Sequence, residues 1–76
     1  MGELLAYLAR ELVDDPEAVK VDEEERDGAV VLRLHVAPDD VGKVIGRQGR
    51  IARALRTLVR ASGARRDRRV VLEIAD

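Results

Sequence analysis

The chain has no cysteine, tryptophan or phenylalanine, and Tyr7 is its only aromatic residue. Without cysteine there is no disulfide and no thiolate-ligated metal, so a domain of 76 residues must hold together on a thin apolar core. With His35 as the single histidine, a His-based zinc site is excluded as well. One aromatic ring cannot supply the stacking platform on which RRM and cold-shock folds lay bases. No apolar run reaches the length of a membrane span, and no basic segment leads into an apolar stretch at the N-terminus. These absences point to a small soluble, cytoplasmic, single-domain protein over residues 1–76, without metal or cofactor.

What is present is charge, and it is segregated. The net charge of −1 hides a first half (residues 1–40) with 4 basic and 12 acidic side chains and a stretch (residues 41–69) with 10 basic and 1 acidic. The balances are −8 and +9, so one side of the molecule is expected to be electropositive and able to meet phosphate. Of the 14 basic residues 12 are arginine, whose planar fork suits phosphate oxygens.

Apolar periodicity places the elements. Leu4, Leu5, Leu8, Leu12 and Val13 recur at helical spacing over residues 3–13, and Pro16 ends that helix. A strand over 19–26 carries Val19 and Val21 on one face, and Asp27-Gly28 marks a hairpin. The strand 29–37 alternates cleanly, with Val30, Leu32, Leu34 and Val36 on one face and Ala29, Val31, Arg33 and His35 on the other. Pro38, followed by Asp39 and Asp40, opens a short helix over about 38–45. A longer helix over about 50–61 has Ile51, Leu55, Leu58 and Ser62 as its seam, with Ala52 and Val59 beside it and Gly63 as its stop. A basic linker over 64–69 leads into a last strand, 69–75, with Val70, Leu72 and Ile74 facing in. The order α-β-β-α-α-β predicts a two-layer α+β domain, three strands covered on one face by three helices.

The chemistry concentrates in Val44-Ile45-Gly46-Arg47-Gln48-Gly49-Arg50-Ile51. Two glycines bracket two polar residues between a short helix and a long one, so a ligand's backbone can approach closely. The first N–H groups of the long helix face the same place, and Arg47 and Arg50 set positive charge beside them, with Lys43 and Arg53 about a turn away. This is a cradle for a sugar-phosphate backbone.

The segment resembles the signature of the KH domain family, a GxxG loop preceded by an aliphatic pair. Ala52 and Leu55 fall at the family's helix-core positions after the second glycine, Ala52 being smaller than the common isoleucine. The helix and strand that precede the motif resemble the type II (prokaryotic) arrangement, and its small stand-alone bacterial members in particular. The resemblance implies a three-stranded mixed sheet and a single-stranded RNA-binding, chaperone-like function rather than an enzyme. It implies a groove for about four nucleotides. Gly46, Arg47, Gln48 and Gly49 would hold the RNA backbone with Lys43, Arg50 and Arg53 in support. Ile45 and Val44 would lie in the floor or core, and Arg68 and Arg69 on the wall. It also implies a homodimer and pairing with a larger KH-containing protein of the KhpB (Jag) type, with no small-molecule substrate.

Competing readings are weaker. Neither GxxxxGK[ST] nor GxGxxG is present, which argues against a nucleotide-binding enzyme. A DNA-binding helix-turn-helix would need a longer first helix and a firmer turn than Gly46 and Gly49 allow. Single-stranded DNA would meet the same cradle, since only contacts to the 2′-OH separate it from RNA. A pure interaction module is the main alternative. Ala54, Thr57 and Ala61, with Leu58 at their edge, form a small-residue stripe suited to self-association. The acidic run 22–25 lacks calcium-loop spacing and reads as a solvated strand edge.

Overall fold

The structure, a computed structural model, describes residues 1–75. Helix α1 spans Glu3–Leu12, β1 Lys20–Arg26, β2 Ala29–His35, α2 Val41–Ile45, α3 Arg50–Arg65 and β3 Arg69–Ile74. Short 3-10 turns occupy Pro16–Ala18, Pro38–Asp40 and Arg47–Gly49. The strands lie in the order β1-β2-β3, with β1 antiparallel and β3 parallel to β2. This is the two-layer α+β domain that the element order implied, with the mixed sheet and type II layout that the KH resemblance implied.

The β1–β2 hairpin closes at Asp27-Gly28, both at positive φ, as its sequence dictates. The parallel β2–β3 pairing needs a crossover, which α2 and α3 supply. Helix α1 packs on β1 and α3 chiefly on β3, with α2 between the helices. Leu5, Leu32, Leu34 and Val44 are the most deeply buried large side chains, each about 1.5–3 kcal/mol of burial. Val30, Leu55, Val59, Val70 and Leu72 complete the same cluster.

The sheet's other face carries no helix, yet Ala29 and Val31 on it are buried. Long charged side chains roof them. Arg26 reaches Glu24 at 3.2 Å and Glu73 at 3.6 Å, and Arg33 reaches Glu73 at 2.9 Å. His35 pairs with Asp22 at 2.9 Å. On the helix side, β1 changes character along its length. Val21 faces the core, but Glu23 and Glu25 follow it in register, where Glu23 meets the N-terminal ammonium and Glu25 meets Arg68.

Two expectations about α3 are corrected. The buried seam is Ala52, Leu55, Val59 and Gly63, while Leu58 is 44% exposed. Gly63 does not end the helix, which runs on to Arg65. Gly63 lies where the helix crosses β3. A Cβ there would press into Val70 and sit 2.7 Å from the Arg68 carbonyl oxygen. The chain reverses only afterwards, through Asp67 at φ 56°, with Arg66 and Arg68 donating backbone N–H groups to the Gly63 carbonyl. The linker expected over 64–69 is therefore reduced to a tight turn.

Candidate nucleic-acid interface

The bend between α2 and α3 is an exposed corner. Gly46 leaves α2 at φ 77°, ψ 171°, and a Cβ on it would lie 2.7 Å from the Ile51 side chain and 2.9 Å from the Ile51 nitrogen. Only glycine allows this turn to sit on the first residues of α3. Gln48 follows in the left-handed region at φ 57°, ψ 24°, and Gly49 at φ 75°, ψ 15°. These angles turn Arg47 and Gln48 outward, where both are exposed. A Cβ at Gly49 would meet nothing within 4 Å, so the space against the loop's second glycine is open.

Not every amide expected to be free is free. Gly46 donates to the Gly42 carbonyl at 2.9 Å, Gly49 to Gly46 at 3.1 Å and Arg50 to Arg47. These bonds brace the loop. Arg50 is exposed and touches the Gln48 amide oxygen at 3.4 Å, and Arg53 lies one turn on, exposed. Beneath them Val44 is fully buried, hence core, and Ile45 is half-buried beside the loop.

Lys43 is placed differently from the rest. Its ammonium lies 3.2 Å from Asp14 and 3.5 Å from Asp40, so α2 turns it toward the α1–β1 connection. The Asp14 contact, then its charge, hold the Lys43 pKa above its ordinary value. Asp40 was legible only as a residue favouring a helix N-terminus. It is instead 2% exposed and accepts the backbone N–H of Asp14 on Oδ1 at 3.2 Å and of Asp15 on Oδ2 at 3.1 Å. Burial pushes its carboxyl up, but those two amides and Lys43 outweigh it and leave the pKa lowered. Asp40 thereby ties the end of α1 to the start of α2, and so fixes the helix from which the loop springs.

Along α3, Arg53, Arg56 and Arg60 project from one flank at spacings of three and four residues. Arg56 and Arg60 face β3 across a cleft of about 340 Å³ that Arg68, Arg69, Val70, Val71 and Leu72 complete. Arg56 and Arg60 were not singled out from sequence. Their spacing one step round from Leu55 and Val59 was the available signal.

The profile of the KhpA/KhpB, KH domain family matches residues 2–74. The chain belongs to the KhpA/KhpB KH-domain family. Relatives of this family called RNA-binding protein KhpA include one from Caldanaerobacter subterraneus subsp. tengcongensis, 51% identical over 97% of this chain and 99% of the relative. One from Treponema pallidum is 55% identical over 97% of this chain and 92% of the relative. One from Listeria monocytogenes is 46% identical over the full length of both. No solved structure matches. The KhpA/KhpB family is a family of non-enzymes, and this chain is not an enzyme. No helix among the described residues is long and apolar enough to cross a membrane.

Proposed function

We propose that the chain is a single KH domain over residues 1–76 that binds single-stranded RNA in the cytoplasm, gripping the sugar-phosphate backbone at Gly46, Arg47, Gln48 and Gly49. The observation that carries this reading is the loop itself. It is exposed, braced from within, and sets Arg47 and Arg50 at the N-terminus of α3. An anion is favoured where oriented N–H groups and guanidinium groups converge. Arg50 and Arg53 support the grip, Ile45 supplies apolar floor, and Lys43 contributes field rather than a direct contact. The names of the relatives support RNA as the polymer. A backbone grip with no aromatic platform suits a chaperone that holds RNA without reading a long sequence.

The test is the double variant Arg47→Asp/Gln48→Asp. Both side chains are exposed, so the thermal midpoint is expected within a few degrees of wild type while affinity for single-stranded RNA falls by at least about tenfold. Unchanged affinity in a folded double variant would refute the loop assignment. Parallel titration with single-stranded DNA of the same sequence separates the two polymers through the 2′-OH.

A second face favours self-association. Leu4, Tyr7 and Leu58 are 49%, 58% and 44% exposed, and Leu4, Leu58, Ala61, Ser62 and Arg65 line a shallow apolar hollow between α1 and α3. Leu58 and Arg60 are two residues apart on α3, about 200° round the helix, so a homodimer through this face leaves the arginine flank free. The same face would serve a KhpB-type partner.

A further inference from the structure

β1 is an edge strand, and the sheet order leaves one side of it unpaired. Its residues Lys20–Arg26 pair with β2 in unbroken register, with neither a bulge nor a proline. Bulges and prolines are two of the devices that ordinarily keep a free edge from pairing again. The hairpin fixes which backbone groups face outward. A two-residue turn with both residues at positive φ makes Arg26 and Ala29 a hydrogen-bonded pair, so bonded pairs recur at Glu24, Asp22 and Lys20. By the alternation of an antiparallel ladder, Val21, Glu23 and Glu25 turn their N–H and C=O groups to the open edge.

A hollow of about 510 Å³ lies beside this edge, between α1 and β1. Ala6, Val19 and Val21 give it apolar surface, and Arg10 and Lys20 stand on its rim. Val21 faces the core yet is only half-buried, because the hollow takes up one side of it. A strand laid along β1 points alternate side chains to the helix side, and one of them enters this space.

The charge pattern selects the strand. Asp22, Glu23, Glu24 and Glu25 are consecutive, so both faces of β1 are acidic. Each has a cation near it, yet the four side chains stay 46–68% exposed. A second copy is a poor occupant. Antiparallel pairing of β1 with itself about Glu23 sets Glu23 against Glu23 and Asp22 against Glu24, and like charges directly opposite one another destabilise a ladder. A chain with Lys or Arg at successive positions meets opposite charge on both faces.

We infer that the free edge of β1 is a docking site for a basic, extended protein segment, which adds to the sheet as a fourth strand antiparallel to β1. Its lysines and arginines lie opposite Asp22, Glu23, Glu24 and Glu25, and an aliphatic residue opposite Val21 enters the hollow. Arg10 and Lys20 at that end require the basic run to stop there. The site lies at the sheet edge away from β3 and uses none of the side chains assigned to RNA, so it stands or falls apart from the RNA reading.

The experiment uses the whole chain and an end-blocked, fluorescently labelled heptapeptide, Thr-Lys-Arg-Lys-Arg-Val-Thr, read by anisotropy. Laid antiparallel on β1, it sets its basic run against Glu25 through Asp22 and its valine against Val21. N-methylation of the three peptide residues opposite Val21, Glu23 and Glu25 is expected to weaken binding at least about tenfold, because these donate to the edge. N-methylation of the residues between them should change it by less than about threefold, since their N–H groups point away. Amide exchange at Val21, Glu23 and Glu25 slows by at least about tenfold in the complex. Moving the valine to the other end of the peptide weakens binding several-fold by emptying the hollow. Glu23→Gln/Glu25→Gln lowers affinity about fivefold, with a thermal midpoint within a few degrees of wild type. Failure of the parent peptide to bind overturns the site. Equal binding by the two N-methylated peptides shows that charge alone holds them and overturns strand addition. Slow exchange at those three amides that grows with protein concentration and needs no peptide assigns the edge to a second copy and overturns the basic partner.

Discussion

Asp40 shows how a single buried carboxylate can govern a site it does not touch. Its two oxygens cap the amides of Asp14 and Asp15, and Lys43 closes the arrangement from α2. Losing the carboxylate charge leaves those amides with a poorer acceptor in a place closed to water. Asp40→Asn is therefore expected to lower the thermal midpoint by several degrees and, by loosening α2, to weaken RNA binding without any change at the loop. The pH dependence has a definite sign. The folded-state pKa of Asp40 is lowered, so its contribution is complete above the ordinary carboxylate range and is lost as pH falls through the folded value. Melts of wild type and Asp40→Asn should be well separated at neutral pH and converge in acid, below the usual carboxylate range. Curves separated equally at every pH would show that the carboxylate is not what stabilises this junction.

At the scale of the element, α3 carries the site, the core and the flank available to a partner on three different faces. Its seam can approach β3 only because Gly63 has no side chain. Helix propensity alone favours alanine over glycine by about 1 kcal/mol in a helix interior. The close approach of Val70 and the Arg68 carbonyl opposes this, and forced overpacking costs about 1–3 kcal/mol with the backbone as the unyielding partner. Gly63→Ala is expected to be destabilising by about 1–2 kcal/mol, or about 4–8 °C for each kcal/mol in a domain of this size. A rise in midpoint on denaturation would show that propensity governs the position. The same residue marks how far α3 was legible in the sequence. A glycine followed by basic residues carries the pattern of a helix end, and only the position of β3 reveals that it is a crossing point. Leu58 was misplaced for a related reason. Heptad-like spacing put it on the seam, but the helix is rotated so that small Ala52 and Gly63 face the sheet. By contrast, the strands and the Asp27-Gly28 hairpin were legible because period-two alternation and positive φ leave few options. The GxxG loop was legible for the same reason: its glycines are needed locally, at Gly46 by Ile51 and the turn itself. Asp40 was not, because its partners Asp14 and Asp15 lie 26 and 25 residues away in sequence; of the cleft only Arg68 and Arg69 were, because the rotation that turns Arg56 and Arg60 toward β3 is set by packing.

For the molecule as a whole, the charge asymmetry along the chain survives folding as an asymmetry in space. The sheet order puts acidic β1 at one edge and β3, with Arg69 at its start, at the other, while the arginines of α3 lie over that second edge. Self-association is expected to use the remaining apolar surface at Leu4, Tyr7 and Leu58. Leu58→Asp should shift sedimentation toward monomer while leaving the affinity of each domain for short RNA within about twofold, and an unchanged sedimentation coefficient for a dimeric wild type would place the interface elsewhere. The basic edge has a different signature. A near-neutral protein with net charge −1 has no long-range attraction for RNA as a whole, so binding must come from the local field of this edge. Each single-strand phosphate neutralised contributes about 0.7 to the salt dependence. With about three phosphates at the loop and Arg53, log K against log[salt] should fall with a slope near −2. The acidic edge sharpens the test, because it repels any strand that strays from the arginine flank and so suppresses diffuse binding. A flat salt response would mean that the contacts are not to phosphate, and the loop could then not be the surface that holds RNA.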